Sequence, residues 1–333
     1  MDLFSHLNWY YEDVLGDDGE PIKSIPTGKL LLITDTLESD GSFLIHYFLQ
    51  SIFKNNQNQS KINSGSNGPT ISTSTCILLG LNQSLYNYFN VGRKLGYNLT
   101  MENGKSSFSF INGLSNPYQW IKEQRIEQLE ELGLEDEPPL DSISQGFAPF
   151  PIKSLIDNVS TATLLQQQSQ KEADKKTQKQ EELKSILHRI YQEFIEYHQQ
   201  SLKKFGPTQT KCYFIIDNLN ILTSYYSSQD SFILIMNFLQ YLNSYVKEHS
   251  NTCTLISLFH SDCDEDSKYY NLLQYESDLT INIHGLKSGY SKDIDGQIEF
   301  LQKDINDSFH RANPIHYQVL DNNIRFFSLG SRI

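Results

Sequence analysis

The chain has 333 residues, a length that suits one α/β domain with insertions or two smaller domains. Its 27 basic and 40 acidic side chains give a net charge of −13, which argues against strong independent binding to nucleic acid, because phosphate contacts need clustered Lys or Arg. No apolar run approaches the roughly 18 residues that cross a bilayer, and the N-terminal flank is acidic, so neither a membrane span nor a secretory signal is expected.

Short apolar runs bounded by polar turns predict strands along most of the chain. Their continuous apolar character is typical of strands that are buried on both faces of a parallel sheet. Helical periodicity between several runs indicates strand–helix–strand units with right-handed crossovers, and therefore a three-layer α/β domain. The predicted strands are 30–33, 76–81, 108–111, 213–216, 254–259 and 279–283.

The C-terminal part changes character. Runs 296–302, 315–320 and 323–329 are separated by turn-like Asp, Asn and Gly, and 321–323 suits a tight hairpin, so an antiparallel extension at one sheet edge is expected. The clearest helix precedes the strand at 213–216, because its apolar residues form one stripe with a period of 3.6 residues. That stripe consists of Leu183, Ile186, Leu187, Ile190, Phe194 and Tyr197.

We expect an N-terminal segment over 1–28 and a single domain over 29–333. Two polar inserts should interrupt this domain. The first, 54–75, is expected to be a loop, and the second, 135–182, is too polar to bury enough surface to offset its ordering entropy.

The four cysteines have no metal-knuckle spacing, and the first three stand at the start of apolar runs that indicate strands. Reduced and mostly buried thiols in a cytoplasmic or nuclear protein fit this pattern best. The cysteines are Cys76, Cys212, Cys253 and Cys263.

The first strand runs into a turn and a helix, where nucleotide-binding α/β domains place their phosphate loop. On the pattern G-x-x-x-x-G-K-[ST], Thr36 replaces the first glycine and Gly41 matches the second. Ser42 replaces the phosphate-binding lysine, and Phe43 replaces the magnesium-binding hydroxyl. Three carboxylates in the same segment would also repel a polyphosphate. We therefore expect no bound cofactor and interpret the segment as an ordinary strand–turn–helix connection with an acidic helix start.

The strand at 213–216 ends in Asp217, which gives it the form of a Walker B strand. In active enzymes such a carboxylate organises the magnesium ion. A carboxylate at a strand end is also often a hydrogen-bond acceptor for a turn, and the missing lysine favours this interpretation. The acidic segment 260–266 fails the calcium-loop pattern and is interpreted as a solvated loop, so neither a metal site nor a catalytic residue is predicted.

A few basic and aromatic residues in predicted loops are candidates for contact with RNA, because aromatic rings stack on bases and cations pair with phosphate. Each of them is explained equally well as an ordinary surface or partly packed side chain. The candidates are Arg93, Lys94, Tyr225, Tyr226, Lys268 and Lys287.

Four segments stand in the order and spacing of the Elongator complex protein 6 family, which the chain resembles over most of its length outside the inserts. Within them, the blocks DGSFLIH, NVGRKLG and SGYSKDIDGQ are the most specific. The segments are LLLITDTLESDGSFLIHYFL, GLNQSLYNYFNVGRKLGYNLT, FIIDNLNIL and GLKSGYSKDIDGQIEF.

The resemblance implies a RecA-like ATPase fold without its phosphate loop. It also implies assembly with Elongator subunits 4 and 5 into a hetero-hexameric ring, which docks on the catalytic Elongator subunits and binds tRNA. The complex modifies the wobble uridine of certain tRNAs, and ATP hydrolysis is attributed to the assembled ring.

The same resemblance places nucleotide sites between neighbouring subunits and turns loops 223–231 and 260–276 toward the ring centre. Tyr225 and Tyr226 in the first loop could stack bases, whereas the acids of the second would repel phosphate. A catalytically silent subunit that contributes architecture is therefore expected. Two alternatives remain open, namely a nucleotide-dependent RecA-like ATPase with an unconventional phosphate loop and a direct RNA-binding protein.

Overall fold

The computed structural model describes residues 2–15, 21–62, 73–113, 152–154, 172–225, 229–261, 267–289, 291–304 and 306–330. Its strands are β1 (Tyr10–Leu15), β2 (Pro21–Lys23), β3 (Leu30–Asp35), β4 (Thr73–Gly80), β5 (Phe108–Asn112), β6 (Ile152–Ser154), β7 (Thr210–Ile216), β8 (Cys253–His260), β9 (Leu279–His284), β10 (Gly296–Lys303), β11 (Phe309–Leu320) and β12 (Asn323–Ser328). Its helices are α1 (Leu3–His6), α2 (Ser42–Ile62), α3 (Leu85–Leu95), α4 (Leu99–Gly104), α5 (Glu172–Phe205), α6 (Leu219–Tyr225), α7 (Gln229–Glu248) and α8 (Ser267–Glu276).

Ten strands form one sheet in the order β12-β11-β10-β9-β3-β8-β7-β4-β5-β6. All pairs from β9 to β6 are parallel, whereas β10 pairs antiparallel with β9 and β11, and β11 pairs antiparallel with β12. The predicted α/β class, with a mainly parallel central sheet and antiparallel C-terminal strands, is therefore confirmed. The short strands β1 and β2 form a separate antiparallel pair.

Helices cover both faces of the parallel strands. In β3, Leu31 and Ile33 point into a core shared with α2 and α3, whereas Leu30 and Leu32 point into a core shared with α5 and α7. This alternation is the period of two of a strand, and burial on both faces explains why the strands read as continuous apolar runs.

Helix α5 confirms the predicted apolar stripe. Leu183, Leu187, Ile190 and Phe194 are buried, and the Phe194 ring stacks on Phe214 of β7 with ring centroids 5.0 Å apart. Ile186 and Tyr197, the other two members of the stripe, are half-buried.

The predicted loop over 54–75 is wrong at both ends, because α2 continues to Ile62 and β4 begins at Thr73. The Asn56 side chain joins α2 to the start of β4. It accepts a hydrogen bond from the Ser74 amide at 2.9 Å and donates one to the Ser74 carbonyl at 2.8 Å, so the polar end of the helix is fastened to the first residues of the strand.

The predicted polar insert over 135–182 is also wrong in part, because it contains β6 and the first three turns of α5. Residues 172–182 are rich in Glu, Lys and Gln, which have high helix propensity, and they extend a helix that is anchored by the apolar stripe further along. Residues 135–151 and 155–171 lie outside the described residues.

The antiparallel C-terminal strands pack against α2. Leu320 pairs with Asn323 across the predicted hairpin turn, which is confirmed. Tyr317 of β11 stacks on Phe43 with ring centroids 4.6 Å apart, and Leu3 and Phe4 of α1 pack into the same core.

Cys76, Cys212 and Cys253 are free and buried, as predicted, and Cys263 lies outside the described residues. Among the residues that the structure describes, no helix combines the length and apolar character needed to cross a membrane.

The buried side chain of His198 generates a prediction about pH. Its Nδ1 hydrogen-bonds to the Tyr245 hydroxyl at 2.8 Å and its Nε2 to Thr252 Oγ1 at 3.1 Å. Burial, and to a lesser degree the neighbouring His249, lowers the pKa of His198 to about 4. In the unfolded chain, the His198 side chain therefore binds a proton below about pH 6.5, whereas in the folded chain it binds one only below about pH 4.

We expect the free energy of unfolding to fall by up to about 3 kcal/mol through this group as the pH drops from 7 to 4. Urea unfolding monitored by tryptophan fluorescence at several pH values measures the slope. His198→Gln should flatten it, whereas His188→Gln, at an exposed position on α5, should leave it unchanged. Equal slopes for the wild-type chain and His198→Gln would contradict the assignment.

Candidate functional site

The carboxyl ends of β3, β8, β7 and β4 lie side by side at one edge of the sheet. In open α/β sheets this edge is where ligands bind. The segments found there are the turn after β3, the loop between β4 and α3, and the residues that follow β7 and β8.

The turn after β3 is short and internally bonded. Ser39 donates its backbone N–H to the Thr36 carbonyl at 2.9 Å, and the two residues form an isolated bridge. The Asp40 carboxylate accepts the backbone N–H of Ser42 at 2.8 Å at the start of α2. The Asp40 side chain thus caps the first backbone N–H of the helix, which has no partner within the helix.

The carboxylate of Asp35 occupies the position of an anion in this turn. Asp35 is 2% exposed, and its Oδ2 accepts the backbone N–H of Gly41 at 2.6 Å. Its Oδ1 accepts a hydrogen bond from Nδ1 of His260, the last residue of β8. The Gly41 amide corresponds to a phosphate-binding amide of the loop pattern, so its hydrogen bond is already made by the protein.

Gly41 itself is required by packing. A Cβ atom at this position would lie 2.9 Å from Cδ1 of Ile283 and 3.1 Å from Oδ2 of Asp35. The glycine therefore permits close approach of the turn to the sheet, and its presence does not by itself indicate a phosphate site.

Asp217 is the second buried carboxylate at this edge, with 1% exposure. It accepts the backbone N–H groups of Leu81 at 2.6 Å, Asn82 at 3.1 Å and Gln83 at 3.1 Å, and the Tyr88 hydroxyl at 3.1 Å. Burial raises its pKa to about 6, since the donors offset only part of the lost solvation. The carboxylate fastens the loop between β4 and α3, which supports the acceptor interpretation over a metal role.

Further side chains tie the neighbouring strand ends together. The Asn220 side chain donates to the His260 carbonyl at 2.7 Å and accepts the His260 backbone N–H at 2.7 Å. The Asn218 carboxamide accepts the Asn220 backbone N–H at 2.8 Å. Asp35, His260, Asn220 and Asn218 therefore form one connected polar chain from β3 to β7.

His46 of α2 lies beside the loop that Asp217 holds. Its Nε2 donates to the Gln83 side-chain oxygen at 3.0 Å, and its ring centroid is 4.9 Å from that of Tyr88. Burial lowers the pKa of His46, so the neutral imidazole is favoured. The sequence gives no indication of this contact, because a histidine within an apolar helical segment carries no signal of its own.

A cavity of about 720 Å³ adjoins the turn. Glu38, Asp40 and Asp295 line it, together with the stacked rings of Phe43 and Tyr317, and none of its described lining residues is basic. Burial and the nearby carboxylates, Asp295 foremost, raise the pKa of Tyr317 to about 12. The surroundings of the turn are therefore electrostatically unfavourable to a polyphosphate.

The RNA-contact candidates do not form one cluster. Lys268 at the start of α8 and Lys287 after β9 are exposed and follow the carboxyl ends of β8 and β9. Arg93 and Lys94 are exposed in the last turn of α3, about 12 Å along that helix from its start at the same edge. Tyr225 is the last residue of α6, and Tyr226 lies outside the described residues.

No group of three or more His, Cys, Asp or Glu side chains suited to a metal ion occurs in the described ranges. Of the acidic segment 260–266, only His260 and Ser261 belong to these ranges. Sequence analysis did not identify Asp35, His260 and Asn220 as members of one polar cluster. The contact between Asp35 and His260 could be predicted only from the fact that β3 and β8 are neighbouring strands.

The Asp217 network yields a prediction about stability. Asp217→Ala should lower the free energy of unfolding by about 3 kcal/mol, because three amide donors and the Tyr88 hydroxyl lose a buried acceptor. Asp217→Asn should cost less, since its oxygen still accepts from Leu81. Urea unfolding with Asp293→Ala, an exposed position, as the control measures the difference. A loss below about 0.5 kcal/mol for Asp217→Ala would contradict the structural role.

Comparison with known proteins gives the family of the chain. A family model described as Elongation complex protein 6 matches residues 152–321. Elongator complex protein 6 of Dictyostelium discoideum is 61% identical over 338 residues, covering 100% of both chains. Elongator complex protein 6 of Rattus norvegicus is 24% identical over 315 residues, and that of Homo sapiens is 23% identical over 312 residues, each with 91% of both chains covered.

Among solved structures, a KaiC-like protein of the archaeon Pyrococcus horikoshii superposes with a TM-score of 0.47 at 10% identity, covering 96% of this chain and 98% of that chain. No feature of the site follows from so distant a likeness. The full-length match to the Dictyostelium protein and the family match over 152–321 do decide the family. The chain belongs to the Elongation complex protein 6 family.

Proposed function

We propose that the chain is a catalytically silent RecA-like subunit of the Elongator complex, in which it completes a hetero-hexameric ring with subunits 4 and 5. The observation that carries the silent role is the bond from the Gly41 amide to the buried Asp35 carboxylate. Membership of the complex is supported by the names of its relatives, which are Elongator complex protein 6.

The residues of the turn support the absence of ATPase activity in three ways. Ser42 stands where a phosphate-binding lysine would neutralise the γ-phosphate, and Phe43 stands where a hydroxyl would bind magnesium. Asp217, which would organise the metal, is engaged by backbone donors from the loop after β4. An ATPase with an unconventional loop would need the Asp35–Gly41 bond to break before any phosphate entered.

Exposed apolar side chains at the same edge support a role in assembly. Leu37 in the turn after β3 is 84% exposed, and Tyr86 at the start of α3 is 62% exposed. A neighbouring subunit that covered this edge would remove both side chains from water. In a ring that places nucleotide sites between neighbours, this edge is where a neighbour would lie.

Through the ring, the subunit would support binding of tRNA and modification of its wobble uridine by the catalytic Elongator subunits, in the cytoplasm and the nucleus. The net charge of −13 and the acidic cavity beside the turn favour a contribution to architecture over one to affinity for RNA. Lys268, Lys287, Arg93 and Lys94 are the candidate direct contacts among the described side chains.

The first test concerns the nucleotide. We expect isothermal titration calorimetry of the isolated chain with Mg·ATP to show no saturable binding at micromolar concentrations, and a phosphate-release assay to show no turnover, because the amide of Gly41 is already engaged. Saturable binding that Asp217→Ala abolishes, with that variant still folded by circular dichroism, would contradict the silent role.

The second test concerns assembly. Co-expression with subunits 4 and 5 should yield one species that contains all three chains on size-exclusion chromatography, and tRNA should bind this species more tightly than it binds the isolated chain. Binding curves at several salt concentrations measure the phosphate contacts. Equal affinity and an equal salt slope for the isolated chain would instead favour a direct RNA-binding protein.

A further inference from the structure

A groove of about 570 Å³ runs between α5 and α7 in the helical layer that carries the long helix. Its floor is apolar, with Leu187 and Phe238 buried and Tyr191 and Leu234 half-buried. The volume lies within the range of about 300 to 1,000 Å³ that is typical of binding pockets. It is large enough for a few anchoring side chains and too small for a whole helix.

One rim of the groove is apolar and exposed. Ile233 and Tyr241 of α7 are 55% and 68% exposed, and they lie two helical turns apart on the same side of α7 as Asn237, which lines the groove. Single exposed apolar residues are ordinary, but a row of them beside an apolar groove marks an interaction surface.

The other rim has the opposite sign to the chain as a whole. Lys184 and His188 of α5 stand one turn apart, and none of the described lining residues is acidic, although the net charge is −13. Lys184 pairs with Glu181 at 3.7 Å, but both side chains are about two-thirds exposed. Such a pair contributes little, so Lys184 can exchange Glu181 for a carboxylate on a partner at small cost.

We infer that this groove is the docking site for an amphipathic helix of a partner subunit. The helix would place Leu-, Ile- or Phe-sized side chains in the groove at i, i+3 or i+4 and i+7, and would turn a Glu or Asp toward Lys184. The apolar floor takes the anchors, the exposed Ile233 and Tyr241 close over them, and the basic rim selects an acidic flank. The inference rests on the proposed function for the source of that helix, which is subunit 4 or 5.

The test measures the affinity of the full-length chain for the preassembled complex of subunits 4 and 5 by biolayer interferometry. The double variant Ile233→Glu/Tyr241→Glu should weaken binding at least tenfold, and Lys184→Glu should weaken it severalfold and reduce its sensitivity to NaCl. Met101→Glu, at a position 59% exposed on α4, is the matched control and should bind like the wild-type chain. Circular dichroism and thermal unfolding establish that the variants fold, which their exposure favours.

The outcomes separate this inference from the proposed function. If the wild-type chain does not bind subunits 4 and 5, the proposed function fails and the groove inference fails with it. If the wild-type chain binds and the folded double variant binds equally well, only the groove inference is overturned. If the isolated chain is a dimer by light scattering and the double variant is a monomer, the occupant is a second copy, which also overturns the inference.

Discussion

The buried carboxylate of Asp35 determines how the edge at the carboxyl ends of the parallel strands is built. A carboxylate that is 2% exposed must be paired, because an unpaired charge in the interior costs several kcal/mol. Its two oxygens bond the Gly41 amide and the His260 ring, so it joins the turn after β3 to the end of the neighbouring strand β8. In a nucleotide-binding relative of the fold, a phosphate would make the bond to that amide. Here the bond is intramolecular, and the turn keeps its shape with no ligand.

Asp217 does for the loop after β4 what Asp35 does for the turn after β3. Each carboxylate lies at the end of a buried strand, and each binds backbone N–H groups of a connection that would otherwise have unsatisfied donors. A Walker B carboxylate must instead keep oxygens available for a metal or its water. A carboxylate at this strand position therefore has a structural role when its hydrogen-bond donors are backbone N–H groups of the protein.

The periodicity of the sequence was sufficient to predict the architecture but not the residues of the candidate site. Continuous apolar runs predicted the parallel strands, and the stripe from Leu183 to Tyr197 predicted the core of α5, because burial on both faces or on one face leaves a direct pattern. Asp35 leaves no such pattern. In the sequence it is one of three acids in a turn, and only the adjacency of β3 and β8 makes it buried and different from the exposed Glu38 and Asp40. The predicted end of α2 was wrong for a related reason. The Asn56 side chain contacts Ser74, and the local polarity of the sequence does not reveal that these two residues lie close together.

The two candidate interaction surfaces differ in chemistry, and the difference follows from where the charges lie. The edge with Glu38, Asp40 and Asp295 surrounds the turn with negative charge, which opposes phosphate and favours a protein neighbour over RNA. The groove between α5 and α7 combines an apolar floor with Lys184, and it lies on a helix that is anchored to the sheet through Phe194 and Phe214. A partner held there would be positioned by the rigid layer and not by the connections at the sheet edge. Under the proposed function, the chain would therefore present two separate surfaces to other proteins, one at the sheet edge and one in the helical layer.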